Sequence, residues 1–123
     1  MRSSVISILA VLILAGGLVA GEDFSGTWIG KTDVPNAGTD DLTLTIQKKD
    51  GIYSGVFSDT LGYLVPGTEM KEIKVEGSDM SFQFVLADGT LLSAKLTMKD
   101  GKLSGTWAHP EGDTAEMRFE RKK

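Results

Sequence analysis

The chain of 123 residues has no cysteine, one histidine and three prolines, and each scarcity excludes a class of protein. Without cysteine there is no disulfide, no thiolate metal site, no thiol nucleophile and no lipid-modified N-terminal Cys. The lone His109 cannot assemble a usual zinc ligand set without Cys partners. It sits in His109-Pro110-Glu111-Gly112, which reads as a turn, and the expectation is an exposed side chain. After residue 23 no stretch shows a 3.6-residue apolar period, so helix is not needed to explain the pattern. Positive charge is also in short supply: 13 Lys and Arg face 17 Asp and Glu. That balance argues against nucleic acid and against anionic lipid headgroups as partners.

The one long apolar run lies at the N-terminus. Arg2 precedes the segment from Val5 to Ala15, and the small residues Gly16 and Gly17 and then Leu18-Val19-Ala20 lead to Glu22-Asp23. This order is that of a secretory signal peptide cleaved after Ala20, with an uncleaved anchor as the alternative, and the run is short of the about 20 residues a membrane span requires. The expectation is a signal peptide over 1–20 and one domain over 21–123, secreted or periplasmic, with no membrane span in the mature chain. Loss of Arg2 leaves 12 basic residues against 17 acidic ones. A domain of this size buries a core without crosslinks.

From Phe24 onward, apolar and polar residues alternate in short runs separated by turn signals. Asp50-Gly51, Asp88-Gly89 and Asp100-Gly101 are hairpin signals, because both central residues of a type I′ turn have positive φ. Glu76-Gly77-Ser78-Asp79 and Pro110-Glu111-Gly112-Asp113 are further turn clusters. Eight strands follow, over about 24–32, 41–49, 52–58, 70–76, 80–87, 90–98, 102–108 and 114–121. The expected fold is all-β: an eight-stranded antiparallel up-and-down β-barrel, since closure removes exposed edges, with a β-sandwich as second choice. Alternation points Phe24, Gly26 and Trp28 inward, with Leu42, Leu44 and Ile46 and the corresponding residues of later strands. This inward set is almost wholly apolar, which weighs against acid-base catalysis inside the barrel.

A short pattern occurs three times, as Phe24-Ser25-Gly26-Thr27-Trp28, Tyr53-Ser54-Gly55-Val56-Phe57 and Leu103-Ser104-Gly105-Thr106-Trp107. Gly and aromatic share a face, so the ring is expected to lie over the bare glycine where the strand bends. Gly26-Thr27-Trp28 on the first strand resembles the Gly-x-Trp signature that opens the lipocalins and the wider calycin superfamily. The overall pattern also resembles small bacterial secreted proteins of lipocalin-like type. The resemblance implies a basic residue packed across the first-strand Trp, and Arg121, on the inward parity with Met117 and Phe119, occupies that place; Arg118 lies on the solvated face. Avidin, another calycin, opens on a similar strand. The several Trp residues around its biotin site have no counterparts here, so biotin binding is not implied.

Other chemistry finds little support. A haem would require an axial His, and His109 is placed in a rim turn. Asp40-Asp41 and the Glu111, Asp113 and Glu116 group match no calcium loop and read as solvated turn acids. Ser25, Ser54 and Ser104 face outward within the repeats, so no nucleophilic site, no cofactor and no enzyme is expected. The longest connection, Asp59 to Glu69, carries Leu61, Tyr63, Leu64 and Val65, as either a core cap or a lid over a ligand entrance. The lipocalin resemblance implies a small apolar ligand lined by Trp28, Tyr53, Phe57, Phe82, Phe84 and Trp107 and closed over by Tyr63 and Leu64. The alternative is a barrel filled by its own side chains, acting as a protein-interaction or inhibitory module of the cell envelope.

Overall fold

The structure is a computed structural model that describes residues 23–122, so the expected signal segment lies outside the described residues. Alternation of apolar and polar side chains becomes nine strands: β1 Gly26–Val34, β2 Gly38–Lys49, β3 Ile52–Asp59, β4 Thr68–Glu69, β5 Lys71–Glu76, β6 Asp79–Val85, β7 Leu91–Lys99, β8 Lys102–Ala108 and β9 Thr114–Arg121. They form one antiparallel sheet in the order β4-β3-β2-β1-β9-β8-β7-β6-β5, curled into a nearly closed barrel.

Nine strands rather than eight arise at the seam. Only Met70 separates β4 from β5, so Thr68–Glu76 is one kinked segment. Its first part pairs with β3 (Phe57 with Thr68) and its remainder pairs with β6. The register slips between Lys71 and Lys74, and Glu72 takes a positive φ of 52°. This is a bulge that swings the strand from one edge of the sheet to the other. Met70 N–H donates to the Gly55 carbonyl at 2.9 Å, and Ala87 N–H donates across the seam to the Tyr63 carbonyl at 2.7 Å.

The two ends of the barrel differ because their turns differ. At one end, the base, β2–β3, β5–β6 and β7–β8 are joined by two-residue turns. Asp50-Gly51 and Asp100-Gly101 have positive φ at both residues, as a type I′ turn requires. At the other end, the mouth, the connections are longer. Asp88-Gly89 lies there within the five-residue loop 86–90, where Gly89 but not Asp88 has positive φ. Leu86 N–H pairs with the Thr90 carbonyl, and Asp88 accepts the Thr90 N–H, so this is not the tight turn the dipeptide suggests. Strands β1 and β2 run farther toward the mouth than their sequences suggest. Val34 pairs with Gly38 around Pro35-Asn36-Ala37, with Asn36 at φ 64°.

The base is packed solid. Phe24 and Trp28 are fully buried, and the indole Nε1–H donates to the Phe24 carbonyl at 2.9 Å. The Arg121 guanidinium lies 4.2 Å from the Trp28 ring, as the calycin resemblance implies. It also donates to the Ser25 and Asp23 carbonyls, both at 2.7 Å. Arg121 is itself exposed, so it closes the base from outside rather than entering the lumen. Arg118 is solvated, as its parity predicts.

The glycines of the repeats bend strands for a different reason from the one expected. A Cβ on Gly105 would overlap the Lys95 carbonyl of β7, and one on Gly55 would come within 2.8 Å of the Thr45 carbonyl of β2. At Gly105 the space is taken by the neighbouring strand's backbone, at Gly55 by Met70 Sδ and the β2 backbone, and at Gly26 by the Arg121 guanidinium, rather than by the aromatic ring two residues on. Gly30 approaches the backbone of β9 at Arg118 in the same way.

Candidate functional site

Above the solid base the barrel contains a cavity of about 200 Å³ that opens at the mouth. Its wall is apolar: Leu42 from β2, Phe57 from β3, Phe84 from β6, Leu92 from β7, Trp107 from β8 and Met117 from β9. Val34, Tyr63, Leu64 and Leu86 form the rim. Four polar residues complete the lining, namely Thr32, Asp40, Asp59 and His109.

Five of the eight residues expected at a ligand site line this cavity: Phe57, Tyr63, Leu64, Phe84 and Trp107. The other three lie elsewhere. Trp28 is sealed in the base. Tyr53 is also at the base, accepting the Phe24 N–H on its hydroxyl at 3.2 Å and meeting the Phe24 ring edge-on. Phe82 is buried behind the wall, against Phe57 at 6.0 Å and Phe84 at 5.9 Å between ring centroids.

The polar lining departs most from the sequence reading. Asp40, expected as a solvated turn acid, is 2% exposed, and with Thr32 it makes up the buried polar residues among those described. Its Oδ1 accepts three hydrogen bonds: Thr60 N–H at 3.0 Å, Leu61 N–H at 2.9 Å and the Thr60 hydroxyl at 3.2 Å. Asp59 accepts Tyr63 N–H on Oδ2 at 2.9 Å and Leu64 N–H on Oδ1 at 3.2 Å. Burial and the adjoining Asp40 carboxyl push the Asp59 pKa above its usual 3.8, against the opposing pull of the Tyr63 and Leu64 N–H groups.

His109 is also not the exposed turn residue expected. Its side chain is 27% exposed and forms part of the cavity lining. Its Nδ1 accepts the Glu111 N–H at 3.2 Å. Trp107 Nε1–H donates to the Thr32 hydroxyl at 2.9 Å, and that hydroxyl donates to the Glu116 carbonyl at 2.7 Å. The chain fixes the indole as a wall of the cavity. Among the described residues no three His, Asp or Glu side chains come together to hold a metal ion, and no helix is long and apolar enough to cross a membrane.

The connection between β3 and β4 divides between the core and the surface of the mouth. Leu64 is 7% exposed and belongs to the core, whereas Leu61, Tyr63 and Val65 are exposed at the rim. Asp40, Asp59 and the Ala87 N–H hold the segment 60–64 across the mouth as a fastened cap, with an apolar outer surface.

No protein-family model matches this sequence, and no curated protein matches it. Solved structures do. A redesigned β-barrel superposes with a TM-score of 0.63 at 12% identity, over 80% of this chain and 91% of its own. The fluorescent protein UnaG in its wild-type form gives 0.51 at 20% identity, over 80% and 97%. A de novo designed fluorescence-activating β-barrel gives 0.53 at 18% identity, over 80% and 94%. The chain has the fold of a small antiparallel β-barrel. At these identities the likeness is one of fold.

Proposed function

We propose that this protein is a secreted or periplasmic carrier that binds a small apolar molecule in the mouth half of its barrel. The observation that carries the reading is the asymmetry of the lumen. The base is sealed by Trp28, Phe24 and Arg121, while the other end keeps an apolar cavity of about 200 Å³ with four polar groups on its lining. A concave apolar site with a few placed polar groups is the usual form of a small-molecule site. The volume lies below the roughly 300–1,000 Å³ of sites for drug-sized ligands, and above the roughly 150 Å³ that accepts a benzene ring. A ligand of one ring with a short substituent fits. If cavity volume is worth about 24 cal/mol per Å³, filling it contributes about 5 kcal/mol, equivalent to a dissociation constant near 0.2 mM for a simple neutral ligand.

UnaG, a fluorescent protein, and the designed fluorescence-activating barrel share this fold and support a barrel that holds a small molecule. The Met1 to Ala20 pattern supports export. Native mass spectrometry of the protein released by cells carrying the full-length gene tests both parts. The reading expects a chain beginning at Gly21, with a bound mass lost on collisional activation. A bare mature chain that takes up nothing from a lipid and metabolite extract contradicts carriage, and a retained N-terminal segment contradicts export by cleavage.

A further inference from the structure

The cavity is acidic. Asp40 and Asp59 are on its lining, and among the described residues no Lys or Arg is. Asp40 is held there at 2% exposure, with its three hydrogen bonds gathered on Oδ1 and none of them on Oδ2. A carboxyl is costly to bury, and the fastening of the cap uses one of this residue's two oxygens. His109 Nδ1 is occupied by the Glu111 N–H.

From this lining we infer that the ligand is a compact, ring-bearing amine, its ring against Phe57, Phe84 and Trp107 and its ammonium against the Asp40–Asp59 pair, and that the site rejects carboxylates of the same shape. The inference rests on the proposed binding of a small molecule in the barrel and specifies its chemistry. An ammonium supplies a donor for Asp40 Oδ2, which takes none of the bonds that fasten the cap, and a charge opposite to that of the carboxylates. A carboxylate brought to the same place meets like charge in a poorly solvated site, which costs heavily.

The test uses three probes of one shape on the mature protein at neutral pH, followed by calorimetry: phenethylamine, phenethyl alcohol and hydrocinnamate. Phenethylamine is expected to bind at least about tenfold more tightly than hydrocinnamate, with the alcohol between them. Asp59→Asn, and separately Asp40→Asn, which keeps an oxygen for the Thr60 and Leu61 N–H groups, are expected to reduce that ratio about fivefold or more. Backbone amide NMR spectra that keep the wild-type pattern at Leu42, Phe84 and Met117 report that the cavity is intact in each variant. Hydrocinnamate binding as tightly as phenethylamine would overturn the inference and leave the ligand-binding barrel standing. An amine preference undiminished in both variants would overturn it as well, because the carboxyls would then not be the selector. Binding of none of the three by the folded wild-type protein would overturn both readings.

Discussion

Replacing Trp28 by alanine tests how the base of the barrel is held. The indole is fully buried, its Nε1–H is bonded to the Phe24 carbonyl, and its face carries the Arg121 guanidinium at 4.2 Å. Truncating a large buried aromatic costs about 3–5 kcal/mol, from lost transfer energy and the cavity left behind. A domain of this size has about 5–15 kcal/mol of stability in all. Trp28→Ala is therefore expected to lose about 4 kcal/mol, enough to bring a marginal protein close to unfolding at body temperature. Urea denaturation followed by far-UV circular dichroism measures it, and Trp107 fluorescence supplies a second probe at the other end of the barrel. A double-mutant cycle with Arg121→Ala isolates the stacked pair, with an expected coupling of about 0.5–2 kcal/mol. Arg121→Ala alone also removes the bonds to the Ser25 and Asp23 carbonyls, so its single cost includes loosening of the segment before β1. A Trp28→Ala loss below about 1 kcal/mol would refute the packing argument for the base. Zero coupling would refute the role given to Arg121.

Gly105→Ala places a Cβ against the Lys95 carbonyl of β7 and is expected to cost about 3 kcal/mol or more by overpacking. Thermal unfolding of this variant beside Ser104→Ala, one residue away on the outer face, separates crowding from strand propensity, and equal melting temperatures would contradict the close approach. Asp59 has a raised pKa in the folded protein, so its contribution is fully present below the unfolded value near 3.8 and is lost as pH rises through the folded value. The stability of the wild type relative to Asp59→Asn should therefore be greatest in acid and fall toward neutrality, by urea midpoints across a pH series. A difference that grows with pH would contradict the pairing with Asp40.

The strands and the barrel were legible because two-residue periodicity and Asp-Gly turns are local signals. Asp50-Gly51 and Asp100-Gly101 adopt the geometry their residue types favour. The seam was not legible, because the crossing from β3 to β6 depends on the Glu72 bulge, whose sequence reads as ordinary strand. The polar lining was within reach. Thr32 continues the parity of Trp28 and Gly30, Asp40 that of Leu42 and Leu44, Asp59 that of Phe57, and His109 that of Trp107. Asp and His are turn-type residues, and the expected strands stopped short of Asp40, Asp59 and His109, which left three cavity groups in loops, whereas Thr32 fell within the first strand. What paired neighbours can hold in strand form, around Pro35-Asn36-Ala37 for example, is decided by the partner strand rather than by the run itself. Three of the expected ligand contacts failed for a related reason. Alternation reports that Trp28, Tyr53 and Phe82 face inward, but not that one half of the lumen is solid.

The central claim, a ligand cavity confined to the mouth half, is tested most directly by backbone amide NMR during titration of phenethyl alcohol into wild-type protein and into Leu92→Trp. Leu92 lines the cavity, and a Trp there fills it. The account predicts saturable shifts at Leu42, Phe57, Leu64, Phe84 and Met117, with Ile46, Met80 and Leu103 in the base unmoved, and loss of those shifts in folded Leu92→Trp. Shifts scattered over the outer strands, or shifts undiminished by Leu92→Trp, would contradict it.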